Sequence, residues 1–247
     1  MKRVLLLLLT LTLFNCSEDD TSPDENSGSG TVTDQDGNDY PYIAYGDQIW
    51  TVKNTEVVTY RDGTAIPQVT DASEWENLTT GAWCYYDNDP TKSKLYNWYA
   101  IMGIHDNDEN TPNKEFAPEG WHVPQDEEWV TFENYLIDNG YNDEDINIDF
   151  NPYLKVIAKA MASKTGWFGS AIEGAVGNDQ SLNNSSGFNA LPHGFRYPVG
   201  SFIYDGQVSA FWSTDTTSRG LDNDMFYVVY SSGIIKQYGL SVRFVKD

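Results

Sequence analysis

Apolar residues run from Val4 to Phe14, broken only by Thr10 and Thr12, behind the two cations Lys2 and Arg3. The run falls short of the roughly 20 apolar residues that anchor a helix across a bilayer. With its positive flank it predicts a secretory signal over residues 1–15. From Thr21 to Gly30 the pattern reverses, and Ser, Gly, Asp, Asn and Pro dominate. Such a composition cannot bury enough surface to offset its ordering entropy, so residues 16–31 read as a flexible tether. Apolar positions then recur to the end of the chain, and residues 32–247 read as a single domain.

Within that domain the spacing of apolar positions predicts the elements. Thr31 to Tyr45 reads as an opening hairpin around Asp34-Gln35-Asp36-Gly37-Asn38, where Gly can take a positive φ. Gln48 to Lys53, rich in Ile, Trp, Thr and Val, reads as a strand. Trp75 to Ala100 is dense in aromatics and broken by Asp87-Asn88-Asp89-Pro90, predicting a long structured loop that leads into a short piece over 95–102. Asp126 to Asp138 sets Trp129, Phe132 and Leu136 on one helical stripe, with acids in the first turn and Asn139-Gly140 at the end. A second helix is predicted from Asn151 as N-cap, with Pro152 first, burying Leu154, Ile157, Ala158 and Met161 and stopping before Gly166. Phe226–Tyr230 and Ile234–Tyr238 flank Ser231-Ser232-Gly233 as a hairpin, and Leu240 to Val245 alternates as a last strand. Strands at both ends with two helices between them give an α+β domain of short antiparallel strands and a loop-rich half.

Charge narrows the partners. The chain carries 37 acids against 15 Lys and Arg, a formal net charge of −22. That field repels phosphate backbones and speaks against nucleic acid. It suits a cell-surface protein, neutral glycans or calcium. Leu13-Phe14-Asn15-Cys16 stands where a lipoprotein signal peptidase would cut, so Cys16 is the expected lipidation site and a lipid bilayer the expected partner there. Ser17-Glu18-Asp19-Asp20 looks like the acidic export tag of Bacteroidetes surface lipoproteins, a solvated charge cluster being the plainer reading. These features predict a lipid-anchored outer-membrane protein exposed on the cell surface. With Cys16 carrying lipid, Cys84 has no intramolecular partner and reads as a buried apolar thiol, a catalytic thiol being the alternative.

Several segments together resemble one family. They include Thr59-Tyr60-Arg61-Asp62-Gly63, Leu95-Tyr96-Asn97-Trp98-Tyr99-Ala100 and Ala117-Pro118-Glu119-Gly120-Trp121-His122-Val123-Pro124. Further along are Gly187-Phe188-Asn189-Ala190-Leu191-Pro192, Gly194-Phe195-Arg196, Phe211-Trp212-Ser213 and Ser241-Val242-Arg243. This order resembles the Fibrobacter succinogenes major paralogous domain family of secreted and surface lipoproteins. The resemblance implies a C-type-lectin-like, formylglycine-generating-enzyme-like fold with meeting terminal strands, two helices and a loop-rich half. It implies surface or polysaccharide attachment and brings no known reaction. Many members carry Cys where Phe244 stands, which could pair with the position of Cys84; here that tie is lost. Gln125 stands where the family often has Thr, which implies a weaker start for the first helix.

The chemistry-bearing residues give no catalytic motif. His122 reads as a packed turn residue bonded to backbone, and His193 as a surface residue in a turn. Gly-x-Ser-x-Gly is absent. One thiol in the domain is too few for formylglycine-generating chemistry, so a non-catalytic protein is expected. Asp106, Asp108 and Asn110 place oxygens at alternate positions, as a calcium loop does, but without the Gly and Glu of an EF-hand. They are a candidate irregular calcium cage or simply a solvated acidic loop. Flat aromatic faces suit sugar rings: Tyr85, Tyr86, Trp167 and Trp212 are the candidate platform, Asp87, Asn88 and Asp89 the candidate hydroxyl partners. For any one of these aromatics the plainer reading is core. Tyr86 and Trp167, beside polar or Gly-rich turns, are the ones expected to be exposed. The reading that follows is a surface-anchored binding module for polysaccharide or glycoprotein, with a protein-interaction domain as the alternative and a hydrolase behind both.

Overall fold

The computed structural model describes residues 28–143, 145–146 and 154–247. The signal, Cys16, the acidic tag and the start of the second expected helix at Asn151 and Pro152 lie outside the described residues.

The chain opens with β1 (Ser29–Thr33), β2 (Asp39–Tyr45) and β3 (Gln48–Thr51). The expected hairpin is present, with Ser29 opposite Ile43 and Thr33 opposite Asp39. Its turn is locked by Asp34, whose Oδ1 accepts the N–H groups of Asp36 and Asn38 at 2.9 Å each. The aromatic-rich stretch folds into α1 (Ala72–Glu76), β4 (Trp83–Tyr85), β5 (Lys94–Tyr96) and α2 (Trp98–Ile101). Then come β6 (Trp121–His122), α3 (Asp126–Asp138) and α4 (Ala158–Met161). The last part holds β7 (His193–Arg196), β8 (Phe202–Asp205), β9 (Val208–Trp212), β10 (Thr217–Asp222), β11 (Val229–Ser232) and β12 (Val245–Lys246).

Two five-stranded sheets carry the fold, in the orders β1-β2-β3-β12-β6 and β11-β10-β9-β7-β8, with β4 and β5 paired apart. The last strand enters the first sheet between β3 and β6, so Val245 pairs with Trp50 on one side and His122 on the other. The two ends of the domain therefore meet. The architecture is mixed α+β and mostly sheet, its four α-helices among the described residues being three single turns and the 13-residue α3.

α3 has the bounds its apolar period predicts. Trp129, Phe132 and Leu136 are fully buried, and Trp50 packs against Trp129 and Phe132 with ring centroids 4.6 and 5.0 Å apart. Phe188 and Phe211 complete this cluster from the second sheet's side. The helix start is better held than Gln125 alone implies. Glu128 accepts the Gln125 N–H at 2.8 Å, and Asp215, from the turn after β9, accepts the Asp126 N–H at 2.8 Å. A carboxylate arriving from elsewhere in the chain thus takes a first-turn N–H beyond the capping box of Gln125 and Glu128.

Three expectations need correction. The second helix is one turn, α4, and residues 154–157 are not helical. It stops at Met161 because Ala190 captures the backbone there: Ala190 N–H donates to Met161 O and Ser163 N–H to Ala190 O, each at 2.9 Å. The hairpin over 226–238 is also different. β11 pairs with β10, Thr217 opposite Ser232, and after Gly233 at φ +65° the chain leaves the sheet. Residues 234–238 form a turn instead, with Tyr238 N–H donating to Ile235 O at 3.0 Å. Residues 240–245, finally, are buried at every position rather than on alternate ones. They thread between the sheets, bridging Tyr96 and Phe211, and only Val245–Lys246 is strand.

Two buried arginines tie the loop-rich half together. Arg196 donates to the carbonyls of Gly200, Val69, Thr70 and Asp71 and lies 4.3 Å over the Trp75 ring. Arg243 donates to Asn54 Oδ1 and to the carbonyls of Thr51 and Asn189, with Phe188 beneath it at 4.6 Å. A planar guanidinium with fixed donors can satisfy several loop carbonyls at once, which lets irregular backbone be buried.

Candidate functional site

The second sheet has two unlike faces, set by the two-residue period of its strands. Phe211, Arg219 and Leu221 face inward, where Arg219 donates to Asp126 Oδ1 at 2.8 Å and to Glu133 Oε1 at 2.6 Å. The alternate positions, Val208 and Ala210 on β9, Ser218, Gly220 and Asp222 on β10, Val229 and Ser231 on β11, form the floor of a groove. Three of the central ones, Ala210, Ser218 and Gly220, are small, so the floor is sunken. Ile234, Tyr238 and Leu240 wall it, because the chain after Gly233 crosses this face instead of pairing beside it. The cavity is about 230 Å³ and mainly apolar.

Beside the groove stands a cluster of half-buried to exposed rings. Phe195, which also lines the cavity, lies 5.5 Å from Tyr197, 5.6 Å from Tyr204 and 5.9 Å from Tyr238; Tyr197 and Tyr238 are 5.6 Å apart. Tyr204 is 44% exposed and sits at φ +65°, a conformation bulky residues rarely adopt. Polar groups are few. Ser218 and Ser231 are cross-strand partners, and Asp222 lies further along β10 on the same face. A mostly apolar concavity with a few placed polar groups is the usual form of a small-ligand site.

Most of the residues singled out in the sequence lie elsewhere. Tyr86, Trp167 and Trp212 are buried and form no surface platform. Trp212 Nε1 donates to Tyr96 O at 2.8 Å, Trp167 Nε1 to Ser163 Oγ at 3.1 Å, and Tyr86 packs edge-on to Phe202. Tyr85 is half-buried, with Lys94 Nζ 5.2 Å from its ring centre. Asp87 and Asn88 are exposed at φ +50° and +58°, while Asp89 turns back on its own loop to accept from Thr91. In the acidic loop, Asp106 accepts the Asp108 N–H and Asp108 the Asn110 N–H, each at 3.0 Å. These carboxylates serve the local backbone, and among the described residues no group of three or more His, Cys, Asp and Glu is placed to hold a metal.

The histidines and the thiol have structural neighbours. His122 is bonded to carboxylates and not to backbone: Nδ1 lies 2.6 Å from Asp247 Oδ1 and Nε2 2.7 Å from Glu128 Oε1. The hydrogen bond to Glu128, then that to Asp247, raises its pKa against the opposing effect of burial. His193 is half-buried rather than superficial. Its Nδ1 accepts the Ser93 N–H at 2.9 Å and lies 2.8 Å from Ser93 Oγ. Burial lowers the His193 pKa. A ring nitrogen already taken by a main-chain N–H reads as a tie between β7 and the residue before β5 more than as a base. Cys84 is buried beside Trp75 and Leu95, and burial pushes its thiol up to about 11. Phe244 packs in a different cluster, edge-on to Tyr40.

The groove was not legible beforehand. Its signal is the small residues Ala210, Ser218 and Gly220 at alternate positions, but which strand neighbours which is not written locally. No curated protein and no solved structure matches the chain. The Fibrobacter succinogenes major domain matches residues 43–246, from β2 to β12, and the chain belongs to that family.

Proposed function

We propose that this is a lipid-anchored surface protein, held at Cys16 in the outer membrane, whose domain is a non-catalytic binding module for extracellular polysaccharide or glycoprotein. The observation that carries the reading is the ring cluster of Phe195, Tyr197, Tyr204 and Tyr238 beside the groove on the second sheet. Aromatic faces cover the apolar faces of sugar rings, and Ser218, Ser231 and Asp222 offer partners to hydroxyls. The fold is read as C-type-lectin-like because the first and last strands share one sheet beside a loop-rich half. A non-catalytic role is supported by His122, whose two nitrogens are both engaged by carboxylates.

The test is binding of the full-length chain, purified in detergent, to a panel of polysaccharides and glycan arrays, in calcium and then in chelator. Saturable binding that is indifferent to chelator and lost on Tyr238→Ala, a residue of the groove wall, supports the groove site. Binding lost on chelation moves the site to the acidic loop at 106–110. An empty panel in both buffers overturns the glycan reading and leaves a protein-interaction domain.

A further inference from the structure

The groove has an acid without a cation. Asp222 lines it and is only partly exposed, its Oδ1 accepting the N–H of Asp224 at 2.9 Å. No ion pair joins it to a Lys, Arg or His among the described residues. The cations nearby are committed. Arg219 points to the other face of β10, bound to Asp126 and Glu133. Lys236 lies 4.1 Å over the Trp98 ring, and Lys92 is paired with Asp205 at 2.8 Å. A carboxylate that lines a concavity with no cation opposite it leaves a place that a cationic group can fill with a charge-assisted hydrogen bond.

Resting on the glycan reading above, we infer that the groove recognises an amino sugar in its ammonium form, one ring at a time. The ammonium takes the place opposite Asp222. The faces of Tyr238 and Phe195 attract the same positive charge, and the hydroxyls of Ser218 and Ser231 face the ring's own hydroxyls. The net charge of −22 favours a cationic ligand and disfavours uronic or sulfated chains. The size limits the occupant: about 230 Å³ lies below the roughly 300–1,000 Å³ of pockets that take drug-sized ligands, which leaves room for a single pyranose. N-acetylation would remove the charge, add bulk and leave the carboxylate unpaired.

The experiment compares three oligomers of equal length on the full-length chain in detergent: 2-amino-2-deoxyglucose, its N-acetylated twin, and unsubstituted glucose. Titration is run at physiological salt, where long-range attraction to an acidic protein is screened. The free amine is expected to bind about tenfold tighter than either comparison, the size of one added charge-assisted hydrogen bond. Asp222→Asn should bring the ratio of amine to glucose oligomer close to one. Asp138→Asn, an equal change of charge on the exposed end of α3, should leave the ratio as it was. Equal affinity for the amine and the glucose oligomers overturns the inference and leaves the glycan reading standing. Equal loss in the Asp138 and Asp222 variants also overturns it, assigning the preference to net charge. Failure of all three oligomers, with binding of some other glycan on the panel, overturns the inference; failure of every glycan overturns the reading beneath it.

Discussion

At the scale of single residues, the side chains that matter most are those with nowhere else to go. His122 joins β6, α3 and the end of β12 by bonds to Glu128 and Asp247, and both bonds need its ring protonated. Its folded pKa lies above the unfolded value near 6.5. The stabilisation is therefore complete below about pH 6.5 and declines as pH rises through the raised folded pKa. His122→Gln should lower the melting temperature most at pH 5.5–6.5 and least at pH 9, measured by thermal melts across that range. The side chain is about a third exposed, so screening holds the loss to about 1 kcal/mol or less. Gly103 makes a sharper demand. It has φ +70°, and a β-carbon there would stand 1.9 Å from the Lys114 carbonyl oxygen, where the backbones of the two residues are already bonded. Gly103→Ala forces two segments apart as well as straining φ, and should cost at least about 2 kcal/mol in urea unfolding.

At the scale of elements, legibility tracks how local the causes are. α3 could be read in full because its stripe of Trp129, Phe132 and Leu136, its acidic first turn and its Asn139-Gly140 stop lie within fifteen residues. What the sequence does not show is the acceptor that holds its first N–H, because Asp215 reaches it from 89 residues away. Asp215→Ala should remove that first-turn acceptor and cost about 1 kcal/mol, seen as a shift in urea midpoint without a change in slope. The second helix was overestimated for the same reason in reverse. Its apolar spacing is real, and Ile157, Ala158 and Met161 are buried, but Ala190 claims the backbone after Met161 and ends the turn there. The aromatics of the candidate platform misled because indole N–H groups find carbonyl or hydroxyl partners inside: Trp212 reaches Tyr96, and Trp167 reaches Ser163. For Trp167 the polar neighbour Ser163 signalled an internal hydrogen bond, not exposure. Opposite Ser93, His193 shows that a pair 100 residues apart leaves no motif at all.

At the scale of the whole molecule, the site arises from one topological decision: after Gly233 the chain crosses the second sheet rather than extending it. Had residues 234–238 paired beside β11, as their apolar pattern suggests, the floor at Ala210, Ser218 and Gly220 would have had no wall of Ile234, Tyr238 and Leu240. The groove is thus a product of the fold's closure, and its depth depends on three small side chains. Gly220 is the one to alter. It does not require a positive φ, and a β-carbon there would meet neighbours at 3.5 Å or more, an ordinary contact. Gly220→Val therefore adds a branched side chain to a central strand where its β-carbon meets only ordinary contacts, and a strand gains from losing glycine's flexibility. The variant should melt at or above the temperature of the parent, by up to about 1 kcal/mol of stability, while the proposed glycan binding should fall at least tenfold because the space for a ring is filled. Paired thermal melts and binding titrations check both halves. A stable variant that still binds would place the ligand outside the groove, on the outer faces of Tyr197 and Tyr204, where the floor of β10 plays no part.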